Sequence, residues 1–239
     1  MHTSLYNSFV LGNALLLFVS IGGVLFSAVL VLLRWNTPQR RAHATRLLIF
    51  TLMIPLLFGL QYVVQFWIYL PAVGREQMKA IQAARDAKFQ ESTKVLPGDA
   101  APEFTLTDLN GNPFSTRDTH GKVLLINFFA TWCGPCHAEL PYLKQIWQRH
   151  QSDDHFRMLM IAREESAETI EAFRQQNEVT IPMAPDPTGE IYRRFASESI
   201  PRNFVVSAEG KVVYARSGFY PEDLDEMAEL IEQALADAR

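Results

Sequence analysis

The sequence predicts an α/β domain, a central mixed sheet flanked by helices, preceded by a transmembrane helical hairpin. Two observations carry that prediction. Two long uncharged apolar runs stand within the first 71 of 239 residues, and from residue 97 onward strand-like and helix-like patterns alternate. Such alternation implies one sheet covered by helices. A third observation carries the chemistry. The chain has only two cysteines, Cys133 and Cys136, and they close the run Trp132-Cys133-Gly134-Pro135-Cys136.

The apolar runs are Phe9 to Leu33 and Leu47 to Pro71, neither with a charged residue. A helix crossing a hydrocarbon core of ~30 Å needs about 20 mostly apolar residues, so each run is long enough. The first run has no basic segment before it and exceeds the apolar stretch of a cleaved signal peptide. Between the runs stand Arg34, Arg40, Arg41 and Arg46, while residues 1–8 carry no Lys or Arg. Positive charge marks the cytoplasmic side. The expected topology therefore has the loop inside and both termini outside, with Trp67 and Tyr69 as interfacial aromatics at the outer end of the second helix. Gln61 and Gln65 share one helix face, and Asn13 near the outer end of the first span is placed to meet Gln65. These amides read as interhelical glue, because an ion site would want an ionisable residue. Pro55 with Gly59 predicts a kink in the second helix.

The expected organisation is thus an anchor over 1–71, with helices at about 9–33 and 47–71, a juxtamembrane helical linker over 72–96, and a folded domain over 97–239. The linker is rich in helix formers and charge, with Met78, Ile81, Ala84 and Phe89 as an intermittent apolar stripe. Leu96-Pro97-Gly98-Asp99 breaks it. Phe104–Asp108 reads as a short strand, and Asn110-Gly111-Asn112 as a turn. Val123–Ala130, VLLINFFA, is apolar enough for a strand buried on both faces. Cys133 opens a helix to about His150. Phe156–Ala162 is a further apolar strand. Ser166 caps a helix to about Gln176, with Glu168 in its first turn. Met183–Asp186 leads into a short helix near Glu190–Phe195. Asn203–Ser207 and Lys211–Ala215 form a hairpin around Ala208-Glu209-Gly210, and Glu222 to about Ala236 closes the domain.

Charge and cysteine usage exclude several classes. The anchor segment carries +4, and residues 72–239 hold 18 basic against 26 acidic residues, a net −8. A surface that acidic does not suit nucleic acid. No cysteine is left for a structural disulfide or a four-cysteine zinc site. The pair is therefore a redox dithiol, half of a metal site, or incidental.

The stretch from Pro97 to Leu143, PGDAAPEFTLTDLNGNPFSTRDTHGKVLLINFFATWCGPCHAELPYL, resembles the thioredoxin-like thiol–disulfide reductases of the TlpA and ResA type. The similarity continues through Val179–Gly189 and IPRNFVVSAEGKVV, covers about 97–236, and does not extend to residues 1–71. The strand–WCGPC–helix unit carries it; a bare CxxC would be weak. The resemblance implies a thioredoxin-like fold on the outer face of a bacterial cytoplasmic membrane. It implies reduction of disulfides in extracytoplasmic proteins, for example in cytochrome c maturation, with a membrane electron donor and no cofactor beyond the cysteine pair. The partners expected are a protein disulfide, that donor, and lipid around the two helices, with no nucleic acid and no metal.

The chemistry follows from the position of the pair. Disulfide exchange needs one thiolate that attacks and a second thiol that resolves the mixed disulfide. Cys133 stands at a helix N-terminus, whose free N–H groups and dipole favour thiolate, so it is expected to be the exposed nucleophile. Cys136, one turn on and more buried, is expected to resolve. Pro135 fits the first turn, where no N–H is needed. Trp132 offers a flat apolar shoulder for a docking peptide, or simple packing. Glu139 follows Cys136 by three residues on the same face, and the resemblance implies that it tunes the cysteines. Thioredoxin has a buried Asp where this chain has Asn127, which leaves Glu139 as the better proton acceptor. His137 points off the shared face and reads as a surface residue.

Ile200-Pro201 resembles the loop that faces the cysteines in this fold, and the resemblance implies a cis peptide there and backbone pairing of Ile200 with an extended substrate. The family commonly has Thr after this proline. Arg202 stands here instead, and an Arg beside the dithiol would favour an acidic partner or raise oxidising power. Four other readings stay open. A thiol oxidase or isomerase shares the fold. A peroxidase would want Thr or Ser where Ala130 stands. A copper chaperone would use soft thiolates but wider cysteine spacing and a distal His. A pure scaffold would not need Cys133.

Overall fold

The computed structural model describes residues 21–26, 28–33 and 40–239. Asn13, Arg34 and much of the first apolar run lie outside the described residues; residues 21–26 and 28–33 are helical. The chain divides into two compact units, one ending at Gln82 and one running from Ala83 to Arg239.

α1 (Arg40–Val63) passes into a π-helical turn, Val64–Tyr69, and then into α2 (Leu70–Ser92), of which the residues up to Gln82 lie in the first unit. Pro71 lies directly after the π-helical turn in an unbroken helical stretch, and the apolar segment runs on into the expected helical linker. Thr51 returns its hydroxyl to the carbonyls of Leu47 (3.0 Å) and Leu48 (2.9 Å), which satisfies it inside the apolar helix. Leu48, Phe50, Leu56 and Leu60 are exposed. Among the described residues, Ala44–Ser92 is the one helix long and apolar enough to cross a membrane.

The second unit is built on a five-stranded sheet in the order β5-β4-β3-β6-β7. These strands are β3 (Val123–Phe129), β4 (Phe156–Arg163), β5 (Met183–Asp186), β6 (Arg202–Val206) and β7 (Val212–Ser217). β3 runs parallel to β4, β4 parallel to β5, and β6 pairs antiparallel with both β3 and β7. A two-stranded hairpin of β1 (Thr105–Thr107) and β2 (Pro113–Ser115) precedes them. The helices are α3 (Gly134–His150), α4 (Ala167–Gln176), α5 (Glu190–Phe195) and α6 (Pro221–Asp237).

β3 is wholly buried because both faces of the sheet are covered. Its odd-numbered residues Val123, Leu125 and Phe129 pack with Leu143 of α3, Ile170 and Phe173 of α4, and Met227 and Ile231 of α6. Its even-numbered residues Leu124, Ile126 and Phe128 pack on the other face with Tyr192 and Phe195 of α5 and Phe89 of α2. The period of 2 along a strand produces this division. Residues 83–92 of α2 belong to the second unit, where Phe89 and Ser92 are buried. Met183–Asp186, expected as a lead-in to a helix, forms the edge strand β5; four residues are too few for periodicity to separate the two.

Candidate active site

β3 ends at Phe129, and after Thr131 and Trp132 the chain turns into α3 with Cys133 as its N-cap. The N-cap backbone is extended, φ −83° and ψ 105°, and its Sγ accepts the N–H of Cys136 at 3.3 Å. Cys133 and Cys136 are joined in a disulfide with Cα atoms 5.2 Å apart. The expected contrast in exposure is absent: Cys133 is 4% exposed and Cys136 6%. The bond to Cys136 folds the Cys133 sulfur back over the helix start, and both cysteines join the apolar cluster on that face of the sheet. The flanks differ. Gly134 and Pro135 are exposed, and Trp132 is 75% exposed, so its indole packs on little of its own protein.

The loop before Cys133 is held from two sides. Thr131 donates through N (2.8 Å) and Oγ1 (2.5 Å) to the carboxylate of Glu165, and its carbonyl accepts Nε2 of His137 at 2.6 Å. His137 is exposed, as expected, but its ring braces this loop and packs edge-on against Phe173. Glu165 was not legible in the sequence: it is one of two adjacent glutamates, with Glu164, in the turn after β4.

Glu139 lies one turn beyond Cys136, 1% exposed. Its carboxylate accepts Nδ2 of Asn127 on Oε2 (3.0 Å) and Nδ2 of Asn203 on Oε1 (2.6 Å). Asn127 also donates to Oδ1 of Asn203 at 2.8 Å. Burial pushes the carboxyl up to about 7, against the two amide donors, which pull it down. Asn203 is the residue that sequence reasoning missed. A signal existed: Asn203 lies directly opposite Asn127 in the β3–β6 register, so any correct pairing brings the two amides to one face.

The Ile200–Pro201 peptide is cis. Pro201 is buried and its carbonyl accepts the N–H of Gly218 at 2.8 Å. Ile200 is half-buried and packs against the apolar clusters on both faces of the sheet, one of which includes both cysteines. Arg202 is not beside the dithiol. Alternation along β6 sends Asn203 and Val205 to the disulfide face and Arg202 with Phe204 to the other. The expected influence of its charge on an acidic partner or on oxidising power therefore has no geometric basis. No cluster of His, Cys, Asp and Glu able to hold a metal is found among the described residues.

A disulfide capping the helix that follows the central strand of a mixed five-stranded sheet, with a cis-proline at the head of the neighbouring strand β6, defines a thioredoxin-like thiol–disulfide oxidoreductase. The chain belongs to the Redoxin family, whose model matches residues 96–231. It is 30% identical over 145 residues to the thiol–disulfide oxidoreductase ResA of Geobacillus thermodenitrificans, covering 60% of this chain and 83% of that one. To ResA of Bacillus cereus it is 29% identical over 130 residues, 54% of this chain and 75% of that one. Among solved structures it resembles a candidate protein disulfide isomerase from Bacteroides thetaiotaomicron, with 30% identity, a TM-score of 0.59, and coverage of 61% and 93%. It also resembles a candidate thiol:disulfide interchange protein DsbE from Chlorobium tepidum, with 28% identity, a TM-score of 0.52, and coverage of 61% and 99%. The protein is an enzyme of this class, with protein-disulfide reductase activity.

Proposed function

We propose that the protein is a membrane-anchored reductase of disulfides in extracytoplasmic proteins, with Cys133 and Cys136 as its redox pair. The observation that carries the reading is a disulfide at a helix N-terminus with one buried carboxylate, Glu139, a turn behind it.

In the reduced enzyme the thiolate of Cys133, favoured by the helix start, attacks one sulfur of the substrate disulfide. That S–S bond breaks, one substrate thiolate leaves, and a mixed disulfide forms. Glu139 takes the proton of Cys136, whose thiolate attacks the Cys133 sulfur. The second substrate thiolate leaves and is protonated, and the Cys133–Cys136 disulfide remains. Two electrons have passed to the substrate, and a membrane dithiol donor returns them. Ile200 and Pro201 present backbone to an extended substrate strand, while Trp132 and Pro135 supply an apolar shoulder.

Two membrane helices, at about 9–33 and 47–71, hold the domain on the outer side of a bacterial cytoplasmic membrane. The exposed apolar side chains of α1 suit contact with lipid, and the arginines between the runs suit an inward loop. Cytochrome c maturation is a process that needs such a reductase. A Cys136→Ala variant is expected to accumulate a mixed disulfide through Cys133, identified by mass spectrometry of the trapped complex. Trapping by Cys133→Ala instead would reverse the two roles. A reduction potential above about −150 mV, against about −270 mV for thioredoxin, would replace the reductase with the oxidase or isomerase reading.

A further inference from the structure

Arg202 has the largest fully buried side chain in the described protein, with no measurable exposure. A cation taken out of water is costly unless its donors are all engaged. No carboxylate forms an ion pair with it among the described residues. Instead Nε donates to the carbonyls of Glu198 (3.0 Å) and Ser199 (3.1 Å), and Nη2 donates to Glu198 O (2.8 Å) and to Ser92 Oγ. Nη1 donates to Thr93 Oγ1 at 2.6 Å, and the guanidinium lies over the Phe89 ring.

These partners fall into two groups. Glu198 and Ser199 lead directly into the cis-proline loop. Ser92 ends α2 and Thr93 follows it, and the backbone is sewn there as well: Ser197 N donates to Ser92 O at 2.9 Å, and Thr93 pairs with Ala196. The loop needs such support, because Ser199 has φ 71°, a left-handed conformation that a non-glycine residue holds only when its surroundings impose it. Tyr192 Oη adds a donor to Ser199 O at 2.8 Å. Stability alone does not explain the charge, since a well-packed apolar side chain of similar volume commonly replaces a buried cation at little loss. A rigid fork with five donors does explain it, because it can bind two carbonyls and two hydroxyls at once.

We propose that Arg202 is a positioning residue for the substrate loop: seated between α2 and residues 198–199, its guanidinium fixes the backbone of Ile200 in the orientation that an extended substrate pairs with. The inference rests on the reading of Ile200 and Pro201 given under Proposed function. Arg202 touches neither the sulfurs nor the substrate, because it stands on the opposite face of β6.

The test uses the full-length protein in detergent, reduced beforehand, with two probes that release the same chromophore. One is 5,5′-dithiobis(2-nitrobenzoate), which has no peptide strand. The other is a short extended peptide whose one cysteine carries the same nitrothiobenzoate as a mixed disulfide. Each reduced enzyme molecule reacts once and ends as the Cys133–Cys136 disulfide, releasing two nitrothiobenzoate thiolates from the small disulfide, or one together with the peptide thiol from the peptide probe, and the single-turnover rate is followed against probe concentration. Arg202→Met is expected to raise the half-saturating peptide concentration about five-fold or more with the limiting single-turnover rate changed less than about two-fold, so the ratio of peptide to small-disulfide second-order rate constants falls. Arg202→Lys is expected to restore part of that ratio, since an ammonium can still reach the two carbonyls. If Arg202→Met fails to fold, the Ser92→Ala/Thr93→Val double variant, which keeps Arg202 but removes its seat, is read in the same way. Equal loss on both probes, or no change on either, overturns the proposal. Pro201→Ala separates the two levels. If it leaves the ratio unchanged, the reading of the loop as the substrate strand is wrong. If it lowers the ratio and Arg202→Met does not, only the role of Arg202 is wrong.

Discussion

Asn203 donates its side-chain amide to Oε1 of Glu139 at 2.6 Å, from a strand position directly opposite Asn127, which holds Oε2. Two amides thus face a carboxyl group that the surrounding protein has stripped of water. Burial favours the protonated acid and the amides favour the anion, and burial is the larger influence. The result is an acid poised near 7 behind a disulfide, suited to taking a proton from a resolving thiol.

The first prediction concerns stability against pH. The carboxyl of Glu139 stands near 7 in the folded protein against 4.5 for an ordinary glutamate. The folded state therefore binds this proton more tightly than the unfolded chain. The stabilisation is fully present below about 4.5 and is lost as pH rises through about 7, an effect of about 3 kcal/mol. Glu139→Gln removes the titration. Thermal unfolding of both proteins at pH 5 and pH 8, followed by near-ultraviolet circular dichroism, is expected to show a smaller loss for the variant. An identical loss in both would contradict the assignment.

A second prediction follows from the amide clamp. Asn203→Ala removes a donor that favours the anion. A hydrogen bond to a charged group contributes about 1.5–3 kcal/mol, so the Glu139 titration should move up by about one to two pH units. The measurement is the pH profile of mixed-disulfide resolution, in which the limb near 7 shifts upward. A limb that stays in place would show that Asn203 does not act on this proton.

The parts of the fold that were legible are those with strong local patterns. VLLINFFA reads as a strand buried on both faces, and the structure places β3 at Val123–Phe129 with one apolar set on each face. Ser166 as a cap and Gln176 as a last helical residue were legible for the same reason: short-range rules apply there. β2 and β5 were not legible, because three and four residues carry no usable period. Arg202 misled for a different reason. Adjacency to Pro201 in sequence suggested adjacency to the dithiol, whereas a strand sends neighbours to opposite faces. Asn203, one step further, is the residue that reaches the site.

Trp132 provides the third prediction. With 75% of its surface exposed, the indole contributes little packing, so Trp132→Ala should change stability by less than about 0.5 kcal/mol. If the ring docks a partner, as proposed, the same variant should raise KM for a protein disulfide about ten-fold, the cost of one modest aromatic anchor. Loss of stability without a change in KM would assign the ring to packing.

The fourth prediction concerns Arg85, which joins the end of α2 to the start of α6. Its Nη2 reaches both oxygens of Asp223, at 2.8 and 2.9 Å, and its guanidinium carbon lies 3.8 Å above the Tyr220 ring. The two side chains are 20% and 12% exposed, so solvent weakens this pair less than the surface pairs of the domain. Asp223 also stands in the first turn of α6, where the helix dipole favours a carboxylate. Arg85→Ala should therefore cost about 1–2 kcal/mol, more than an exposed ion pair of about 0.5 kcal/mol. Arg85→Lys should recover only part of it, since an ammonium cannot stack on Tyr220 and bridge both oxygens together. Hydrogen exchange gives the local readout: the amides at 83–92 and 221–225 should exchange faster in Arg85→Ala, while those of β3 change only by the global loss of stability. Equal acceleration everywhere would mean that the pair contributes to overall stability without holding these two helices together.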